Sequence, residues 1–135
     1  MATELETGPA RTLYETRRPQ MFPQLTAAQI ARLAAHGHEV DVSAGEVLVE
    51  PGRRSSRFMV VLSGSLDVSL SGTPERQITV LTPGEFAGEL STLRGLNAFV
   101  HIRVIEAGRV LVLDEEQLRN VVQTDAELSE IFMRA

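Results

Sequence analysis

The spacing of apolar and polar positions changes its period twice along the chain. Residues 1–20 (MATELETGPARTLYETRRPQ) hold no sustained period and carry two Pro and one Gly, so they read as a flexible leader or arm. A short helical stretch follows, with Ile30, Leu33 and Ala34 on one face. Thr26 and Gln29 occupy the N-cap and N3 positions of a capping box, Leu25 and Ile30 have hydrophobic-staple spacing, and Gly37 supplies a stop. The spacing predicts a helix over 27–35.

From 39 to 113 the pattern becomes short runs that alternate apolar with polar residues or are wholly apolar. They are EVDVS (39–43), EVLVE (46–50), RFMVVLSG (57–64), SLDVSL (65–70), RQITVL (76–81), AFVHIRVIE (98–106) and RVLVLD (109–114). Breaks fall at Ser43-Ala44-Gly45, Pro51-Gly52, Gly64, Ser71-Gly72-Thr73-Pro74, Pro83-Gly84 and Ala107-Gly108. Seven or eight short strands separated in this way predict an antiparallel sandwich or barrel. Helical spacing then returns. Asp114 with Gln117 and Leu113 with Leu118 repeat the box and staple, and a third box at Thr124-Asp125-Ala126-Glu127 leads into a helix with Leu128, Ile131 and Phe132 on one face. That helix runs to Ala135 without Gly, Pro or a cap. The expectation is that 21–135 is one domain of a longer protein, its last helix cut short.

Composition narrows the chemistry. The chain has 135 residues, long enough for one domain that buries roughly 70% of its unfolded surface. It has no Cys, which excludes disulfides, Cys-ligated metals and thiol catalysis in this segment. A net charge of −5 argues against nucleic acid as a partner, and no apolar run reaches the ~20 residues a membrane helix needs. With no signal-peptide pattern, a cytoplasmic location is expected. All 13 basic residues are Arg, the side chain that grips phosphate with a two-pronged fork.

One segment breaks the strand rhythm, running from Leu81 to Val100 as LTPGEFAGELSTLRGLNAFV. Gly84, Gly88 and Glu89 precede a helix-compatible run that Gly95 ends. A glycine opening a helical turn exposes backbone N–H groups that hold an anion, and a carboxylate beside it accepts hydrogen bonds from a sugar hydroxyl. The same residues also read as a glycine turn followed by an acid stabilised at a helix N-terminus. The histidines are the residues with metal-ligand chemistry. His36-Gly-His38 has suitable spacing and His101 supplies a third imidazole, but His36 falls on the last helical turn, where the macrodipole favours it, and no metal is expected. Arg53, Arg54 and Arg57 read as a solvated turn rim. No nucleophile–base pair stands out, so this segment is not read as an enzyme.

Over about 22–135 the chain resembles the cyclic-nucleotide-binding domain family, of the catabolite-activator and kinase-regulatory-subunit type. The resemblance rests on Gly45-Glu-Val-Leu-Val-Glu-Pro-Gly52, on Phe58-Met-Val-Val-Leu-Ser-Gly-Ser-Leu-Asp-Val68, and on the phosphate-binding cassette at Phe86-Ala87-Gly88-Glu89-Leu90. It implies a mainly β fold, an antiparallel, jelly-roll-like β-roll flanked by an N-terminal helix and C-terminal helices. It implies that Gly88, Leu90 and Ser91 cradle a cyclic phosphate through backbone N–H groups, and that Glu89 takes the ribose 2′-hydroxyl. Nine residues after the Glu the family carries an Arg that pairs with the phosphate. Here that position is Ala98, followed by Phe99. Arg94 and Arg103 are the candidate substitutes.

Cassettes that end this way resemble those of domains preceding thioredoxin-reductase-like flavoproteins in bacteria, and 121–135 looks like the junction into such a module. The implied partners are a weakly held cyclic nucleotide and a flavoprotein module in cis, with FAD and NADPH bound only beyond this segment. The alternative is a docking domain that has lost nucleotide binding and serves the flavoprotein module or a homodimer.

Overall fold

The computed structural model describes residues 23–52, 57–70, 76–88 and 100–134. Helix α1 spans Ala27–Ala34 behind a complete capping box, with the Thr26 side chain accepting the Gln29 N–H and the Gln29 side chain accepting the Thr26 N–H. Gly37 is not the left-handed stop that the spacing suggested. It lies outside the positive-φ glycines, and a Cβ there would come within 2.4 Å of the Val112 carbonyl oxygen. What position 37 requires is close passage over a strand.

Six strands follow among the described residues: β1 (His38–Val42), β2 (Val47–Val49), β3 (Arg57–Leu70), β4 (Arg76–Leu81), β5 (Phe86–Ala87) and β6 (Val100–Asp114). The expected breaks at Gly64 and Ala107-Gly108 are not ends of strands. The runs 57–64 and 65–70 join into β3, and the described part of 98–106 joins 109–114 in β6. β3 and β6 pair antiparallel along their whole length, with register shifts between Val61 and Leu66. The shifts explain why β3 read as two runs. Met59 and Val61 face one core, and after the bulge Leu66 and Val68 face it, so the alternation changes phase at Gly64.

This long pair is the spine. Its first half is flanked by β1 on β6 and β5 on β3; its second half by β2 on β6 and β4 on β3. The sheet therefore bends over on itself into the expected antiparallel β-roll. Val42, Val49, Met59, Val61, Leu66, Val68, Leu81, Ile102, Val104, Val110 and Val112 pack together inside it. The other face of the first half carries Phe58, Val60, Leu111 and Leu113, and the helices cover it.

Helix α2 (Glu115–Thr124) starts at the expected Asp114–Gln117 box. Helix α3 (Ala126–Arg134) starts one residue later than expected, because Asp125 accepts the Leu128 N–H while the Thr124 hydroxyl donates to the Asn120 carbonyl in the last turn of α2. Leu25, Leu33, Leu118, Val121, Leu128 and Phe132 bury against the sheet. Each such side chain contributes roughly 1.5–3 kcal/mol on transfer from water.

The spine is tight where its pairing bulges. A Cβ at Gly64 would sit 2.4 Å from the Glu106 carbonyl oxygen, and one at Gly108 would sit 2.1 Å from that of Ser63. Gly108→Ala should destabilise the domain by about 3 kcal/mol through this backbone clash. Gly45→Ala, where a Cβ meets nothing within 4 Å and only the φ of +86° opposes it, should cost about 1 kcal/mol. Urea unfolding of the two variants checks the order.

Candidate functional site

The approach to the cassette is a turn whose polar groups are tied on three sides. In Thr82-Pro83-Gly84-Glu85 the Glu85 N–H donates to the Thr82 carbonyl at 3.0 Å, Pro83 presets its own φ, and Gly84 takes φ +92°. Those are the requirements of a type II turn. Its side chains close it further. Glu85 Oε1 accepts the Thr82 N–H at 2.8 Å and the Thr82 hydroxyl at 3.0 Å, and Glu85 is only 5% exposed. Towards the roll, the Gly84 N–H donates to the Val61 carbonyl and the Val61 N–H donates to the Glu85 carbonyl. On the outer side, the Leu25 N–H donates to the Gly84 carbonyl at 2.8 Å and Gln24 Nε2 to that of Pro83 at 2.7 Å.

From this turn the chain enters β5, where Phe86 pairs with Val60 and Ala87 with Met59. Gly88 then turns away with φ +99°, and a Cβ there would lie 2.4 Å from the Arg57 carbonyl oxygen and 3.2 Å from the Phe58 Cα. Only glycine fits, for conformation and for space together. Of the proposed ligand-binding residues, Gly88 is thus placed at the end of β5. Glu89, Leu90, Ser91, Ala98 and Phe99 lie outside the described residues, as does Arg94.

The two side chains that precede Gly88 reach opposite cores. Ala87 packs against the interior of the roll, and Phe86 points to the helices. Phe86, Phe58 and Phe132 form a three-ring cluster, with centroids 5.5 Å (Phe58–Phe86), 4.9 Å (Phe58–Phe132) and 5.1 Å (Phe86–Phe132) apart. These tilted and edge-on contacts are worth about 0.5–1.5 kcal/mol per pair beyond area burial. The residue two before Gly88 is therefore in ring contact with α3.

The interior itself carries no positive charge from the described residues. Arg103, a candidate substitute for the family Arg, is exposed between Ile102 and Val104, which both point inward. It lies opposite Asp67 and Val47 on the outer side of the sheet. Arg109 is likewise outside, bound to Asp41 at 2.9 Å and Glu39 at 3.1 Å. The histidines do not converge, since His38 pairs with Val112 near one end of β6 and His101 with Ser69 near the other. Among the described residues, no group of three His, Asp or Glu side chains is placed to hold a metal ion. A shallow depression beside Asp114, Glu115, Glu116 and Arg119 lies on one face of α2, outside the roll. No helix among the described residues is long and apolar enough to cross a membrane.

Two structural residues escaped the reading of the sequence. Glu85 was passed over, although the Thr-x-Gly-Glu spacing recurs as Ser43-Ala44-Gly45-Glu46 and could have marked both turns. Arg32 was read only as a helix residue. Its guanidinium binds Asp125 at 2.8 Å and also Glu127, so α1 is clasped to the start of α3.

With this geometry in view, the comparisons agree. The chain belongs to the cyclic nucleotide-binding domain family, whose model matches residues 39–125. A protein of Rhodopseudomonas palustris named "Putative potassium channel protein" is 23% identical over 112 residues, covering 83% of this chain and only 27% of that protein. A solved structure from a cyclic-GMP-dependent signalling pathway that regulates bacterial phytopathogenesis is 25% identical, with a TM-score of 0.73 over 82% of this chain and 89% of its own. The catabolite activator protein of Thermus thermophilus shares 19% identity and the fold, with a TM-score of 0.69 over 82% of this chain and 51% of its own.

The clasp makes a testable link to pH. Hydrogen bonds from Arg32 hold the Asp125 and Glu127 carboxyls below their ordinary range, and the same contacts raise Arg32. A depressed carboxyl contributes stability above its unfolded value, about pH 4, and loses it as pH falls through the lower folded value. Amide exchange in α3 should therefore be slower in the wild type than in Arg32→Gln at pH 7, with the gap closing below about pH 4. The gap should be small, because the groups are solvent-exposed.

Proposed function

We propose that this regulatory domain senses a cyclic nucleotide held in the roll beside Gly88 and passes its occupancy to α2 and α3. The observation that carries the reading is the Gly88 corner. Its backbone is pressed against β3 in a conformation only glycine adopts, and the preceding strand is joined by Phe86 to Phe132 of the terminal helix. Family membership and the cyclic-GMP pathway of the structural relative support the ligand class. In this reading the N–H groups of Gly88, Leu90 and Ser91 receive the phosphate and Glu89 the ribose. Ala98 and Phe99 replace the charged partner with apolar surface. A buried phosphate without a cation is poorly compensated, so the cassette is degenerate and binding is weak.

The relay is reciprocal by linkage. A ligand that prefers one arrangement of α3 shifts the helix towards it, and the helix position alters affinity by the same factor. The regulated module in this reading is a thioredoxin-reductase-like, FAD- and NADPH-dependent enzyme following in cis in the cytoplasm. Its support is the resemblance of the cassette ending and of 121–135.

A second reading has its own observation. The described interior is apolar and both nearby outward arginines are turned away, as suits a docking domain that has dispensed with ligand.

Calorimetry on the chain with cAMP and cGMP separates the two. Millimolar affinity is expected, with Ala98→Arg tightening it at least about tenfold, the worth of one charge-assisted pair. Submicromolar binding by the wild type would overturn the degenerate cassette. Absence of binding in both chains supports the docking domain. Phe132→Ala should cost about 3 kcal/mol and abolish any ligand-induced change in α3 amide exchange, while the roll keeps its protection.

A further inference from the structure

We infer that Glu85 is a positioning residue for the nucleotide site, its buried carboxyl fixing where Gly88 presents its backbone. The inference rests on the cyclic-nucleotide reading and adds a residue to it. β5 is only two residues long and has two pairs with β3, too little to set its own place. What precedes it is the Thr82–Glu85 turn, closed by the two hydrogen bonds from Thr82 to Glu85 Oε1. Only two residues separate that carboxyl-bearing position from Gly88, so an opened turn releases the whole arm.

The molecule contains its own comparison. The Ser43–Glu46 turn is built alike. Its Glu46 N–H donates to the Ser43 carbonyl, and Glu46 Oε1 accepts the Ser43 N–H at 3.0 Å. The Gly45 N–H donates to the Val104 carbonyl and the Val104 N–H to the Glu46 carbonyl, as Gly84 and Glu85 do with Val61. Val61 and Val104 are both interior residues of the roll. Each turn launches a short strand onto one member of the spine, β2 onto β6 and β5 onto β3. The arms diverge three residues after the Glu. One places the buried side chain of Val49 in the core, and the other places Gly88. The carboxyls diverge too, for Glu46 is exposed whereas Glu85 is buried and also receives the Thr82 hydroxyl. The more firmly closed turn is the one that leads to the bare backbone corner.

Glu85→Ala, Glu85→Gln and Glu46→Ala, made in the full chain, test this. In the ligand-free protein, amide exchange at 86–88 should accelerate at least tenfold in E85A and stay within threefold of wild type in E85Q, whose amide keeps the accepting oxygen. E46A should leave 86–88 unchanged. In chains that also carry Ala98→Arg, the Kd for cAMP should weaken at least tenfold with E85A and less than threefold with E85Q or E46A. Unchanged exchange in E85A overturns the inference. So does equal loss of binding in E46A, or loss in E85Q as complete as in E85A. If no chain binds cAMP, the nucleotide reading fails, and the exchange measurement still decides whether Glu85 positions the corner. Should E85A not fold, Thr82→Val removes the hydroxyl donor at an exposed position and carries both readings with about a threefold effect.

Discussion

The close approach of β3 and β6 at Gly64 and Gly108, where their pairing bulges, is the constraint on which the other features depend. Two strands of fourteen and fifteen residues cannot remain paired throughout and also enclose a core unless the pair bends partway along. The bulges supply the bend, and side chains at the two glycines are excluded by carbonyl oxygens 2.1–2.4 Å from where a Cβ would stand. Once the spine bends, each half acquires its own flanking pair of strands. One surface becomes a roll interior, and the other becomes a platform for helices. The interior and the platform share the strands that bear Phe58, Met59, Val60 and Val61, so neighbouring residues report to different cores.

That sharing is what joins the Gly88 corner to the helices. At the end of β5, Ala87 belongs to the interior and Phe86 to the platform, while Gly88 has no side chain to take either part. A shift of this arm moves a ring that touches both Phe58 and Phe132. A second connection runs through α1. Residues Gln24 and Leu25 bind the Pro83-Gly84 carbonyls, and Arg32, further along, binds Asp125 and Glu127. The aromatic connection is buried and directional, whereas the ionic one is exposed and contributes little by itself. Packing, then, sets the position of α3, and the clasp selects among nearby orientations.

How much of this could be read from the sequence depends on how local each cause is. The boxes at Thr26–Gln29 and Asp114–Gln117 were legible because both partners lie within one turn. The α3 start was misplaced by one residue because Thr124 and Asp125 are both good caps. The choice between them involves the hydroxyl bond to Asn120 and the contact with Arg32, which is distant in sequence. Gly37, Gly64 and Gly108 looked like stops, since the carbonyls they approach belong to residues far along the chain. The outward direction of Arg103 was already implicit in its place between Ile102 and Val104. Seen alone, it had looked like a candidate phosphate partner. The need for glycine at 88 was legible in the motif, whereas Glu85, three residues earlier, was hidden by resembling an ordinary turn acid.

The balance of charge around the roll bears on what kind of ligand control such a domain exerts. Arg is abundant, yet the described arginines with assigned partners spend their charge on surface carboxylates: Arg32 on Asp125 and Glu127, Arg109 on Asp41 and Glu39, Arg119 on Glu115. Among the described residues, an interior of Val, Leu, Ile and Met offers a phosphate no charged partner, which leaves the backbone N–H groups of the corner. In the proposed reading, losing a guanidinium removes a two-pronged charged partner from the phosphate, which weakens binding by orders of magnitude. A weak ligand can still switch a domain, provided the two arrangements of α3 differ by only a few kcal/mol and the ligand prefers one of them. In such a domain the precision of the corner, and not the charge behind it, carries most of the discrimination. In the proposed reading, the buried Glu85 carboxyl that closes the turn is what keeps that corner in place.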